Sequence, residues 1–334
     1  MCEEDKNIKG TRIVTAARSL PELVVTNDDL AKFIDTSDEW IFTRSGIRKR
    51  HISRGETVAS LSADVFKQLV SKAGITVDDI DFLIITTVTP EYLTPSSATF
   101  VLGEVGAKNA FGFDLNAACT GFVYGVSVAD KLLRSGVYKR GIVIGADILS
   151  KICDWEDRST CVLFADGAGG ILMEATDGAN SCILAEDLHT DGAKATELRG
   201  YKLPIKNPWY NELDHTADEP YVIMDGKAIY DFVTTEIPKS VRSILEKADV
   251  SSDEVKYVVC HQANARIIET VAKKLKTSID KFKITITNFG NTSSSSMPLA
   301  LSDMFDKGEV EKGDKIIITG FGAGLTWGSV LVQF

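Results

Sequence analysis

Residues 72–85 read KAGITVDDIDFLII, and residues 247–260 read KADVSSDEVKYVVC. The two stretches lie 175 positions apart, close to half of the 334-residue chain, and three of their fourteen pairs are identical. Most of the others swap like for like: Ile80 with Val255, Phe82 with Tyr257, Asp79 with Glu254. At the same offset Ile142 falls on Ile317 and Gly145 on Gly320, in KRGIVIGAD and GDKIIITGF. One offset held from residue 72 to residue 145 reads as a duplication.

Outward from these stretches the two halves read alike. A helix-period segment (58–73; 234–248) precedes an acidic turn and a β-branched run (81–87; 255–260). Another strand follows (111–115; 283–287), then a small-residue helix (119–134; 296–307), then an apolar strand (141–146; 314–319). Helices alternating with near-continuous Val/Ile strands predict a largely parallel sheet covered on both faces. Two such units predict a layered α/β pseudo-dimer of halves 1–178 and 179–334. The boundary falls at the turn-rich Asp177-Gly178-Ala179-Asn180.

Composition narrows the function. Apolar residues make up 44% and charged residues 25%, enough for a large core. With 37 basic and 47 acidic residues the net charge is −10, which argues against a nucleic-acid binder. Apolar runs are too short to span a membrane, and Met1-Cys2-Glu3-Glu4-Asp5 lacks the apolar stretch of a secretory signal. The cysteines at 2, 119, 153, 161, 182 and 260 form no Cys-x-x-Cys pair. The histidines at 51, 189, 215 and 261 add no metal spacing, so the sequence predicts reduced thiols in the cytoplasm and no metal site.

In α/β sheets chemistry collects beyond the carboxyl ends of strands. Strand 111–115 runs into Asn116-Ala117-Ala118-Cys119-Thr120-Gly121, which puts Cys119 at the entry of a helix. Free N–H groups and partial positive charge there favour a thiolate. The other cysteines read as small buried hydrophobes. Strand 256–260 ends in His261-Gln262-Ala263-Asn264, before an amphipathic helix. The following segment leads to Asn291-Thr292 and four serines, Ser293 to Ser296; Cys119 shifted by 175 lands on Ser294. The serines read as helix caps. Cysteine, histidine and asparagine meeting between two related halves suit nucleophilic catalysis on a carbonyl.

Two glycine-rich stretches, 166–170 and 320–324, are not nucleotide loops, because a strand rather than a helix follows Gly320-Phe321-Gly322-Ala323-Gly324. Their glycines suit close backbone packing or an oxyanion site. Local charge runs against global charge. Residues 43–54 hold five basic groups and no acid, and 262–283 hold six against Glu269 and Asp280. Such a rim suits a phosphate-bearing substrate or an acidic partner. Trp40 beside Arg44 is placed to stack on an adenine-like ring.

Six collinear motifs, SDEWIFTRSGIRKRHI, DLNAACTGF, DRSTCVLFADGAGG, HQANARII, NFGNTSSSS and GFGAGLTWGS, resemble β-ketoacyl-acyl carrier protein synthase III along almost the whole chain. The resemblance implies the thiolase fold, a duplicated five-layer αβαβα architecture, and a homodimer. It implies condensation of an acyl-CoA primer with malonyl-acyl carrier protein, with acyl-CoA as substrate and no cofactor. Carried over by motif, Cys119 is the acylated nucleophile, and His261 and Asn291 hold the malonyl thioester carbonyl. Trp40, Arg44, Arg158 and Asn264 match the coenzyme A contacts, and Arg266, with Lys273 and Lys274 beside it, the carrier-protein contacts. The backbone N–H groups of Cys119 and Ala323 form the oxyanion hole. Thr94 takes the acyl-pocket position where acetyl-selective relatives often carry phenylalanine, with Leu149, Leu163, Met224 and Phe321 as its neighbours. Ala323 stands where many relatives have glycine, which predicts an ordinary φ at that position.

Three other readings compete. Hydroxymethylglutaryl-CoA synthase or thiolase chemistry needs a glutamate or second cysteine as base, and no motif here resembles theirs. Decarboxylation makes its own carbanion, so a histidine–asparagine pair suffices. A related condensing enzyme of a specialised acyl or polyketide pathway keeps the same residues. A non-catalytic acyl or carrier-protein binder would need none of them.

Overall fold

The computed structural model describes residues 9–178, 180–202, 209 and 221–334. Cys2, His215 and Ala179 of the predicted boundary turn lie outside the described residues. Among those described, the first sheet has five strands in the order Gly10–Ser19, Asp166–Thr176, Arg140–Ile148, Phe82–Thr86, Phe111–Leu115. Its centre is apolar on both faces: every residue of Phe82–Thr86 is buried, and that strand runs parallel to both neighbours. The second sheet runs Val255–Cys260, Lys315–Gly322, Thr326–Gln333, Ile183–Thr190.

The duplication extends to strand register. Leu83 pairs with Ile142 as Val258 pairs with Ile317, and Ile84 with Val143 as Val259 with Ile318. The offset of 175 is lost at the next strand, where Leu172 opposite Ile142 corresponds to Leu331 opposite Ile317. The cause is the connection between those strands. It spans residues 149–165 in the first half and only 323–325 in the second. The longer connection folds against Leu30, Ile41 and Ile47 as a separate apolar cluster beside the main core.

Helices complete five layers. Gly121–Arg134 and Ser296–Asp306 are packed between the sheets, where Phe122, Val126, Met297 and Leu301 share one core with Ile84, Val143, Val259 and Ile318. Val58–Ala73 and Ser97–Val105 cover the outer face of the first sheet, and Gly226–Lys247 and Ala265–Leu275 that of the second. The first of these shows the local logic. Thr57 and Ser60 form a capping box, Leu61, Val65, Phe66, Leu69 and Val70 make one buried face, and Gly74 ends the helix at φ 66°. Each of those buried side chains contributes about 1.5–3 kcal/mol on removal from water.

The predicted strand at 283–287 is absent. Val258 and Phe282 make an isolated bridge, and Ile286–Phe289 is a single helical turn. Gln262 is the reason. Its Nε2 donates to the Cys260 and Lys283 carbonyls, and its Oε1 accepts the Thr285 and Ile286 N–H groups. One buried side chain thus satisfies backbone groups that a strand ladder would otherwise take. The helix predicted at 234–248 starts earlier, at Gly226, where Asp225 caps it.

Candidate active site

Strand Phe111–Leu115 ends in a tight elbow. Ala118 sits in the left-handed region at φ 48°, Cys119 follows in a 3-10 turn, and the helix begins at Gly121. For an L-residue that conformation costs energy of order 1 kcal/mol, and the turn places Cys119 half-buried at the helix entry. The pseudo-twofold mate is built the same way. Ser293, 175 positions on, has φ 55°, Ser294 stands where Cys119 stands, and its helix starts at Ser296.

The two elbows differ in what covers them. Asp147 and Gly322 are mates on equivalent strands. Asp147 is wholly buried, and its carboxylate accepts from the Ser294 N–H at 3.4 Å and the Ser294 hydroxyl at 3.1 Å. Its other oxygen accepts from Thr87, Val88 and Thr89. At Gly322 no side chain intervenes, and a Cβ there would stand 2.6 Å from the Cys119 nitrogen. One elbow is therefore closed by a carboxylate, and the other has its N–H uncovered by any side chain.

The expectation of a thiolate is corrected. Burial pushes the Cys119 thiol up to about 12, and the Asp147 charge adds to the shift. The Ser293 hydroxyl beside it opposes the shift, and by more than the Asp147 charge adds to it. The helix entry is where the sequence puts it, and desolvation there works against the thiolate. Cys153, Cys161, Cys182 and Cys260 are buried, as small hydrophobes are.

His261 ends its strand with its N–H on the Thr319 carbonyl at 2.8 Å. Its Nδ1 lies 2.8 Å from the Ser296 hydroxyl, and its ring packs edge-on to Phe321 at 4.9 Å. Burial holds the imidazole down to about 3, so it is neutral at pH 7. Asn291 is clamped through its backbone, donating to the Leu163 carbonyl and accepting from the Ala165 N–H, both at 2.9 Å. Its side-chain oxygen accepts the Ser293 N–H at 3.0 Å, which leaves the amide NH2 as the open donor. Arg50, buried with no carboxylate partner among the described residues and lowered to about 10, holds the adjoining Val162 carbonyl and so braces this segment. The serine run does not cap its helix. Ser294 binds Asp147 and Ser296 binds His261, a correction to the capping expectation.

Ala323 has an ordinary φ, as expected; the left-handed residue is Gly324 at φ 124°. The Thr326 hydroxyl, 3.1 Å from the carbonyls of both Ala117 and Ala323, ties this turn to the elbow. Trp40 is half-buried, with the guanidinium groups of Arg44 at 4.3 Å and Arg158 at 4.6 Å from its ring centre. Asn264 caps helix Ala265–Leu275 and donates to the Arg44 carbonyl, which links the two basic stretches. Arg266, Lys273 and Lys274 are exposed on that helix. Arg266 and Asn264 also line a groove of about 330 Å³ with Gly226, Lys227 and Tyr230.

The acyl-pocket set divides. Leu149 and Phe321 are buried, and Leu163 and Met224 are partly buried against the clusters that hold them. Thr94 is exposed, between Leu93 at 78% exposure and Phe100 at 39%. Among the described residues of one chain its loop lies on an open surface rather than around an enclosed pocket. Sequence reading missed the part of Asp147, Gln262 and Ser296 in this site, and it placed Gly322 only in a glycine run suited to close packing or an oxyanion site. The offset of 175 was a signal for two of them, since it sets Asp147 opposite Gly322.

Residues 113–192 match the family model described as 3-oxoacyl-acyl-carrier-protein synthase III, and residues 245–334 match the model of that family's C terminal. The β-ketoacyl-acyl-carrier-protein synthase III of Lactococcus lactis subsp. lactis is 46% identical over 324 residues, 96% of this chain and 98% of the relative. The crystal structure of 3-oxoacyl-acyl-carrier-protein synthase III from Aquifex aeolicus is similar at a TM-score of 0.89 and 38% identity, covering 97% of this chain and 100% of that one. The priming β-ketosynthase of the R1128 polyketide pathway has a TM-score of 0.90 at 29% identity, over 100% of this chain and 99% of its own. Among the described residues no helix is long and apolar enough to cross a membrane.

Proposed function

The chain belongs to the 3-oxoacyl-acyl-carrier-protein synthase III family and is a ketoacyl synthase, a condensing acyltransferase of fatty acid synthesis, and from that premise we propose how its residues divide the reaction. Cys119 attacks the thioester carbonyl of an acyl-CoA primer. The acyl group moves to sulfur, and the thiol proton leaves with coenzyme A as its thiol, so a protonated resting Cys119 needs no net proton release. Malonyl-acyl carrier protein then enters and loses carbon dioxide. The carbanion attacks the acyl-cysteine to give 3-oxoacyl-acyl carrier protein, and the freed sulfur takes up a proton.

The Cys119 and Ala323 N–H groups receive the oxyanion of acyl transfer, and His261 and Asn291 donate to the malonyl thioester carbonyl. A neutral histidine and an amide stabilise negative charge without acting as a base. Trp40 stacks on the adenine, with Arg44 and Arg158 toward the phosphates and Asn264 by the pantetheine arm. Arg266, Lys273 and Lys274 meet the acidic carrier protein. Leu149, Leu163, Met224 and Phe321 surround the primer.

The active unit is a homodimer of chains, each built from halves 1–178 and 179–334. What supports the dimer is the edge strand Phe111–Leu115, paired on one side only among the described residues and flanked by exposed Tyr92, Leu93, Phe100 and Phe111. Thr94 stands on that face, so its place in an acyl pocket requires the second copy. The described cysteines are free, which suits a reducing cytoplasm.

The observation that carries the reading is the elbow, a left-handed Ala118 before Cys119 at a helix entry, facing the bare backbone of Gly322. Intact mass after incubation with acyl-CoA tests it. One acyl group should be gained by the wild type and none by Cys119→Ser. No covalent gain in the wild type would leave an acyl binder instead.

A further inference from the structure

We propose that Ser296 is a positioning residue that fixes the tautomer of His261, holding the proton on Nε2 where the substrate carbonyl needs a donor. The proposal rests on the reading of His261 as a donor to the malonyl thioester.

The proton count at this buried pair decides the tautomer. Ser296 is 2% exposed and His261 is 2% exposed. Among the described residues the Ser296 hydroxyl has two partners: the Gln262 N–H at 3.2 Å and the His261 Nδ1 at 2.8 Å. The backbone N–H can only donate, so it takes a lone pair of the serine oxygen. If Nδ1 carried a proton it would donate to the same oxygen, and the hydroxyl proton would be left buried without an acceptor. An unmet buried polar group is costly, whereas the opposite arrangement satisfies every group. The hydroxyl therefore donates to a bare Nδ1, and the neutral ring keeps its proton on Nε2. Nε2 has no protein partner among the described residues, so its N–H is free for a ligand. The same chain of bonds fixes ring direction. Ser296 opens helix Ser296–Asp306 and is held by the Gln262 N–H, and Gln262 is itself locked by four hydrogen bonds.

The serine is specific to this half. Its mate at the offset of 175 is Gly121, whose missing side chain lets the first helix approach Thr86. A hydroxyl at this helix start is therefore no requirement of the elbow itself.

The test needs the full-length chain and no unusual ligand. ¹⁵N spectra of histidine-labelled wild type, with the His261 signals assigned by their loss in His261→Ala, should show Nε2 protonated and Nδ1 bare at pH 7. A protonated Nδ1 would overturn the proposal without any change at Ser296. Ser296→Ala should acylate from acyl-CoA within about twofold of wild type. Its malonyl decarboxylation should be slower by between about 10-fold and the roughly 10²–10³ expected for losing the donor outright. Ser296→Thr, which keeps the hydroxyl, should restore most of the rate. Full decarboxylation by Ser296→Ala, folded by its melting profile, would refute the role of Ser296 while leaving His261 in place. Full decarboxylation by His261→Ala would instead remove the reading on which the proposal rests.

Discussion

Gly322→Ala puts one methyl group where the two elbows differ. Its Cβ would stand 2.6 Å from the Cys119 nitrogen, 3.0 Å from the Ala118 Cβ and 3.2 Å from the Thr120 nitrogen. Two of these are backbone atoms of a turn that already holds Ala118 at φ 48°, so the contact has no flexible side chain to absorb it. The methyl either sits over the Cys119 N–H or displaces it, and in both cases an oxyanion donor is lost. Removing one such donor is worth roughly 10²–10³ in rate, or about 2.7–4 kcal/mol. The overpacking itself should cost about 1–3 kcal/mol of stability. Gly320→Ala is the matched control two residues back on the same strand. Its Cβ would meet the flexible end of Met297 at 3.1 Å, so acyl transfer should be little changed. The assay is single-turnover acylation from acyl-CoA, followed by intact mass, with thermal melts of both variants. Gly322→Ala acylating as fast as Gly320→Ala would show that the uncovered N–H of Cys119 is not part of the machinery.

Other outcomes follow from the same geometry. Asp147→Asn removes a buried charge that raises the Cys119 thiol, so the pH profile of its alkylation should move to lower pH; an unmoved profile would mean that burial alone sets the thiol. The protonated thiol stabilises the fold below its ordinary value of 9.0, and that contribution is lost as pH rises toward about 12. His261 runs the other way: its neutral form stabilises the fold above 6.5, and melting temperature should fall as pH drops toward about 3, less so in His261→Gln. His261→Ala and Asn291→Ala should each form the acyl-cysteine and lose roughly 10²–10³ in malonyl decarboxylation, with normal decarboxylation in both sinking their shared role. Arg266→Glu should raise KM for malonyl-acyl carrier protein more than for acyl-CoA, the difference shrinking above ~0.15 M salt, where exposed charges are screened within ~8 Å. Equal effects on both substrates would assign Arg266 to coenzyme A or to the fold. Thr94→Phe should move primer choice toward acetyl-CoA by ~10-fold or more in competition, while a wild type that already prefers acetyl-CoA would reject a large pocket.

The order of elements and the strand ends that carry polar groups were legible in the chain before any fold was known. The offset of 175, the apolar runs and the small residues after strand 111–115 are local signals, and local chain chemistry makes helices, strands and turns. They were enough to put Cys119 at a helix entry and His261 at a strand end, and to bring in Asn291 from the loop that mates with the cysteine loop. The rest depends on groups far apart in the chain. Ser294 meets Asp147 across 147 positions, so a run read as helix caps became ligands of a carboxylate and an imidazole. Gln262 took over the backbone groups of a strand that β-propensity alone would form. Thr94 lies on an open face because none of the described residues covers it. The ionisation of Cys119 was decided there too. A helix entry favours a thiolate wherever it occurs, but burial, Ser293 and Asp147, which the fold brings to Cys119 from distant parts of the chain, also act on that charge, and burial has the largest effect of the three.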